Sequence, residues 1–211
     1  MNAFQAQLKQ LAVIPVVTPY SVNTTLKMTE AMLAGGIASV EITLRTDCAW
    51  ESIAAVMAER LPVKVGVGTI TSVELFKRAL DCGADFAVSP GITPKLIEYA
   101  AQTKLPFLPG IATASELMMG IEAGFETFKL FPAMAINAPA LLSAFSGPFP
   151  ETKFCPTGGV NEKNATELLA RNNVICVGGS WMIPKAAVEA QEWAKITELS
   201  KEAMSLAGAT V

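Results

Sequence analysis

Residues 63–82 read VKVGVGTITSVELFKRALDC, a β-branched run that stops at Gly68-Thr69 and gives way to apolar residues at helical spacing. A strand passing through hydroxyl-bearing cap residues straight into a helix is half of a βαβ unit. The alternation recurs in both directions from this segment. Strand runs are expected at Ala12 to Val17, Ser39 to Leu44, Val63 to Val67, Phe86 to Ser89, Pro106 to Leu108, Thr127 to Phe131, Lys153 to Pro156 and Val174 to Val177. Between them, helical spacing predicts helices near 25–35, 48–60, 71–82, 93–103, 114–123, 138–145, 161–171 and 184–206. The pattern specifies an α/β fold with a parallel sheet, and eight such strands favour a closed (β/α)8 TIM barrel over an open sheet. Phe4, Leu8 and Leu11 follow i, i+4, i+7 spacing and predict an extra N-terminal helix covering the bottom of the barrel.

The 211 residues suit a single domain spanning 1–211, with no linker or low-complexity tract. An apolar share of 51% with 17% charged residues fits strands covered on both faces and a buried subunit contact. Sixteen Lys plus Arg against 19 Asp plus Glu leave a net charge of -3, which gives no field to recruit nucleic acid or an acidic membrane. The N-terminus has no basic region followed by an apolar stretch, and no run approaches the roughly 20 apolar residues of a membrane span. A soluble cytoplasmic protein is expected. Cys48, Cys82, Cys155 and Cys176 are scattered without a C-x-x-C pair and are expected to be reduced core thiols. The chain contains no histidine, which removes Ser-His-Asp and Cys-His catalysis and His-based zinc sites. Asp47, Asp81 and Asp85 form no evident Mg²⁺ site, so neither metal nor cofactor is expected.

In Ser39-Val40-Glu41-Ile42-Thr43-Leu44-Arg45, strand alternation puts Glu41, Thr43 and Arg45 on one face and Val40, Ile42 and Leu44 on the other. The polar set then faces the barrel interior or its C-terminal mouth, where such barrels keep their active sites. A structural Glu41–Arg45 ion pair is the competing reading. Lys129, within Phe128-Lys129-Leu130-Phe131-Pro132, loses solvation among apolar neighbours, which favours the neutral, nucleophilic amine that a Schiff base requires. The alternative is a lysine at a strand end reaching to water. Thr157-Gly158-Gly159-Val160 and Gly178-Gly179-Ser180-Trp181 follow the last two strands, where barrels of this kind form phosphate sites. Either turn can equally serve only to reverse the chain. Thr69 and Thr157 offer hydroxyls at further strand ends, suited to a carboxylate, a proton relay or a helix cap.

Taken together, these residues resemble the 2-keto-3-deoxy-6-phosphogluconate aldolase family, also known for 4-hydroxy-2-oxoglutarate aldolase activity. The likeness runs in order through Val40-Glu41-Ile42-Thr43-Leu44-Arg45-Thr46, Val65-Gly66-Val67-Gly68-Thr69-Ile70, Ser89-Pro90-Gly91, Pro109-Gly110-Ile111-Ala112-Thr113, Lys129-Leu130-Phe131-Pro132-Ala133, Phe154-Cys155-Pro156-Thr157-Gly158-Gly159 and Gly178-Gly179-Ser180-Trp181. The resemblance implies a class I lyase in which Lys129 forms the imine, Glu41 moves protons and Thr157 stands close to the reacting centre. It implies that Arg45 and Thr69 hold the keto-acid carboxylate, and that Pro90 and Phe131 line the substrate. Gly158, Gly159, Gly178, Gly179 and Ser180 would hold the phosphate. It further implies a homotrimer yielding pyruvate and glyceraldehyde 3-phosphate, as in Entner-Doudoroff metabolism. The sequence departs from the family at Met134-Ala135-Ile136-Asn137-Ala138, where a glutamate and glycines are common, and this bears on the aldehyde end of the substrate. The competing readings are a phosphate-binding barrel isomerase or synthase, a non-catalytic phosphosugar-binding protein, and an aldolase for the galactonate-derived epimer.

Overall fold

A computed structural model describes residues 1–208. The chain opens with α1 (Ala3–Leu11), β1 (Val13–Val17), α2 (Val22–Ala34), β2 (Ser39–Thr43), α3 (Ala49–Ala58), β3 (Lys64–Gly68) and α4 (Val73–Asp81). It continues through β4 (Phe86–Val88), α5 (Pro94–Ala101), β5 (Phe107–Leu108), β6 (Gly110–Ile111), α6 (Ala114–Glu122), β7 (Thr127–Leu130) and α7 (Ala138–Phe145). The last elements are β8 (Lys153–Pro156), α8 (Ala165–Leu169), β9 (Val177–Gly179), α9 (Lys185–Glu189) and α10 (Trp193–Gly208). No helix among the described residues is long and apolar enough to cross a membrane.

Helix starts follow local chemistry. The side chains of Ser21, Ser72 and Thr93 accept the first free N–H groups of α2, α4 and α5, and Thr113 with Glu116 builds a capping box on α6. Ser21 is the cap of α2, so that helix begins before the expected residue 25.

All strand pairs are parallel, in two curled sheets of order β5-β4-β3-β2-β1-β9 and β6-β7-β8. Pro109, which has no N–H to donate, interrupts the run between β5 and β6, while its carbonyl accepts Lys129 N–H at 2.9 Å. Isolated parallel bridges Phe154↔Val174 and Thr157↔Gly178 join β8 to β9 and its approach.

Strand alternation sorts the core into two parts. Val13, Val17, Val40, Ile42, Val65 and Val67 share one cluster with residues of the helices. Ile14, Phe86, Val88, Leu108, Cys155, Ile175 and Cys176 form the other, closed by Leu8 of α1 with Phe4 packed against it. Glu41 and Lys129 belong to neither cluster, standing on the strand faces opposite Val40, Ile42, Phe128 and Leu130.

Three expectations need correction. The segment 184–206 is two helices, because Gln191 takes a left-handed φ of 56° between them. The last strand begins at Val177, since Val174 N–H turns back to the Arg171 carbonyl at 3.0 Å and Val174 contributes a bridge alone. Finally, only Cys155 and Cys176 are core thiols; Cys82, ending α4, is exposed and Cys48 is half-buried. Burial, together with the neighbouring Cys155, pushes the Cys176 thiol well above the usual range and makes it inert.

Candidate active site

β2 and β7 each carry one charged residue on the face away from the helices, and these two meet. Lys129 Nζ donates to Glu41 Oε1 at 3.0 Å and Oε2 at 3.3 Å, with both residues 3% exposed. Such a pair costs several kcal/mol per ion to desolvate and persists only when each group satisfies the other. The contact is short enough for a proton to cross it. Passing that proton from ammonium to carboxylate leaves two uncharged groups, one of them a nucleophilic amine. Lys129 is therefore buried as its neighbours predict, but its resting partner is a carboxylate and not hydrocarbon alone. The Phe131 ring lies 5.4 Å from Nζ and offers its π-face to the charged form.

Room for the pair comes from glycine. A Cβ on Gly68 of β3 would overlap Glu41 Oε1 and come within 2.7 Å of its Cγ, so the carboxylate lies across a strand position that only glycine leaves open. Gly178 does the same for Thr157, whose Cγ2 would be 3.0 Å from an added Cβ. Thr157 is buried beyond the end of β8, its N–H donating to the Leu130 carbonyl at 2.9 Å and its hydroxyl to the Cys155 carbonyl at 3.3 Å. Thr43, on the Glu41 face, spends its hydroxyl on the Val17 carbonyl at 2.9 Å.

The other expected site residues lie around the strand ends. Arg45 is exposed past β2 and has no ion pair or hydrogen bond among the described residues, so the Glu41–Arg45 pair does not form. Gly158 and Gly159 take φ of 99° and 79°, a region glycine tolerates, and an added Cβ on Gly158 would meet the Phe131 ring at 3.3 Å. Met134 N–H donates to the Gly158 carbonyl at 3.0 Å, binding the 131–137 loop to this turn. Gly179 is buried, whereas Ser180 and Pro90 are exposed, Pro90 with its carbonyl against Gly110. Gly68 and Gly110 are spacers whose sequence signal is a glycine on the strand face that Glu41 and Lys129 occupy.

Thr69 is the exception among the threonines. Half-buried after β3, it holds φ at 67°, which costs a β-branched residue about 1–3 kcal/mol. Replacing it with glycine relieves that strain while adding unfolded-chain entropy, so Thr69→Gly is expected to change stability by no more than about 1 kcal/mol. If the strain aims the hydroxyl at a keto acid, KM for pyruvate in condensation rises severalfold in that variant. An unchanged KM in steady-state assays removes Thr69 from the site.

A curled parallel α/β sheet with a buried amine in hydrogen-bond contact with a carboxylate fits the class: an aldolase, a lyase of the Schiff-base type. The chain belongs to the KDPG and KHG aldolase family, whose family model matches residues 4–199. It is 44% identical over 196 residues to the 2-dehydro-3-deoxy-phosphogluconate aldolase of Pseudomonas aeruginosa, covering 93% of this chain and 89% of that protein. It is 41% identical over 192 residues to the KHG/KDPG aldolase of Escherichia coli K12, covering 91% and 90%. Among solved structures, KDPG aldolase from Legionella pneumophila, with pyruvate captured at low pH as a covalent carbinolamine intermediate, superposes with a TM-score of 0.91 at 40% identity, covering 95% of this chain and 97% of that one.

Proposed function

We propose that this protein cleaves 2-keto-3-deoxy-6-phosphogluconate to pyruvate and glyceraldehyde 3-phosphate through a Schiff base on Lys129, and that it also acts on 4-hydroxy-2-oxoglutarate. The observation that carries this reading is the buried Lys129–Glu41 contact of 3.0 Å. The Lys129 amine adds to the C2 ketone, and the carbinolamine loses water to leave a protonated imine. The C3–C4 bond then breaks with its electrons drawn into the imine, the C4 hydroxyl proton passes to Glu41, and the aldehyde departs. The remaining enamine takes a proton at C3 from Glu41, directly or through water, and hydrolysis frees pyruvate and Lys129. Thr157, fixed beside Gly178, stands at the reacting centre.

Arg45 and Thr69 would hold the carboxylate, Pro90 and Phe131 the body of the substrate, and Gly158, Gly159, Gly178, Gly179 and Ser180 the phosphate. An exposed Arg45 without a partner among the described residues supports the first of these roles, because its planar fork is free to grip a carboxylate from two nitrogens. Arg45→Lys keeps the charge and loses the fork. It is expected to raise KM for pyruvate in condensation by about 10-fold, the cost of roughly one charge-assisted hydrogen bond. An unchanged KM counts against the role.

We read the two sheets as one closed (β/α)8 barrel spanning residues 1–211, of which the last three lie outside the described residues. The β8–β9 bridges support closure at one seam, and the run broken by Pro109 supports it at the other. Leu8, buried among inward residues, supports α1 as cover for the barrel's lower end. A homotrimeric, cytoplasmic enzyme completes the reading and follows from family resemblance. Borohydride reduction with and without pyruvate, followed by peptide mass mapping, tests its core. A pyruvate adduct on Lys129 is the expected result, and no adduct on folded protein would favour a phosphate-binding isomerase or synthase.

A further inference from the structure

The sheet order β3-β2-β1-β9 sets four strand ends side by side, and with them Thr69, Arg45, Thr18 and Ser180 in that sequence. On the reading above, the first two hold the substrate carboxylate and the last its phosphate. Along the shorter arc of strand ends between those anchors, a sugar acid passes the end of β1. Strand alternation fixes what it meets there. Val13 and Val17 pack with the helices and Ile14 with the inner cluster, so Val16 and then Thr18 follow Ile14 on the inner side.

Val16 pairs in register with Glu41 and is the one residue of β1 that is not buried, although both its strand neighbours are. Free space therefore lies over the Glu41 layer beside β1. Thr18 stands one inward position further out, half-buried, and its hydroxyl has no hydrogen-bond partner among the described residues. By contrast, the Thr43 hydroxyl on the adjacent strand is committed to the Val17 carbonyl at 2.9 Å.

We infer that Thr18 determines specificity for the middle of the substrate, its hydroxyl bonding the C5 hydroxyl that lies between the cleaved carbon and the phosphate. The inference rests on the proposed function and is tested in the condensation direction. There the C5 hydroxyl comes from the 2-hydroxyl of glyceraldehyde 3-phosphate, and 3-oxopropyl phosphate lacks it. Thr18→Val keeps the side-chain shape. It is expected to lower kcat/KM for glyceraldehyde 3-phosphate about 3- to 10-fold, the span of one neutral hydrogen bond. With 3-oxopropyl phosphate it should stay within about twofold, and Thr18→Ser should restore the preference. An equal loss with both acceptors, or no loss with either, overturns the inference. Trapping of pyruvate by borohydride in Thr18→Val reports an intact site, and should that variant misfold, Thr18→Ala carries the same comparison. Failure of trapping in the unsubstituted protein would strike the Lys129 reading instead, which keeps the two failures distinct.

Discussion

Lys129→Met is expected to abolish turnover, by on the order of 10⁴-fold or more, the scale on which enzymes lose rate when a covalent nucleophile is removed. Borohydride should then trap no pyruvate. The same substitution also strikes stability, because it leaves Glu41 buried beside hydrocarbon without its only ion-pair partner among the described residues. Breaking a buried pair from one side costs about 3–5 kcal/mol, which for a chain of this size corresponds to a Tm lower by roughly 6–20 °C. Adding Glu41→Gln to Lys129→Met removes the orphaned charge, so the double variant should recover most of the lost Tm and none of the activity. Calorimetry on the two variants checks this. A Tm unchanged in Lys129→Met would mean that solvent reaches the pair more freely than its burial indicates.

How much of this was legible in the sequence depends on whether the signal was local. Lys153–Pro156 and Ala138–Phe145 coincide with their expected strand and helix, since an aromatic in a short run and a proline in the first helical turn act within a few residues. Strand alternation sorted Glu41 and Thr43 from Val40 and Ile42 correctly, because a period of two is a property of the strand itself. The break at Gln191 carried no such mark: neither glycine nor proline stands there, and apolar spacing runs on through both helices. Pro109 did carry one, yet a strand resuming at Gly110 depends on its pairing with Lys129, which only the folded sheet supplies.

For the site, local pattern marked each half separately, and only the family resemblance joined them. Glu41 and Lys129 are separated by 88 positions, and nothing near either names the other. Arg45, four positions from Glu41, is the nearer partner in sequence, but it lies past the end of β2 and is exposed. The glycines that admit the pair read locally as turn or strand-weakening residues. Only the approach of Glu41 to Gly68, and of Thr157 to Gly178, explains why those positions bear no side chain.

Glu41→Gln separates binding from proton movement. The amide oxygen can still accept from Lys129 Nζ, so the lysine keeps a partner and the fold should persist, but an amide cannot take up the proton that the amine must lose or the one leaving the C4 hydroxyl. Imine formation with pyruvate should therefore continue at a reduced rate, using water as the base, and borohydride should still trap the adduct on Lys129. Cleavage should fall by about 10²- to 10⁴-fold, the usual contribution of general acid–base catalysis. Enamine protonation at C3 should slow with it, so exchange of the pyruvate methyl protons with deuterated solvent, followed by NMR, ought to drop in parallel. If cleavage collapses while exchange stays at the unsubstituted rate, two different groups serve the two steps, and Glu41 works on the C4 hydroxyl alone. If turnover stays near normal, the carboxylate is only a counter-ion. The 3.0 Å contact would then be a structural ion pair beside an active site, not its acid and base.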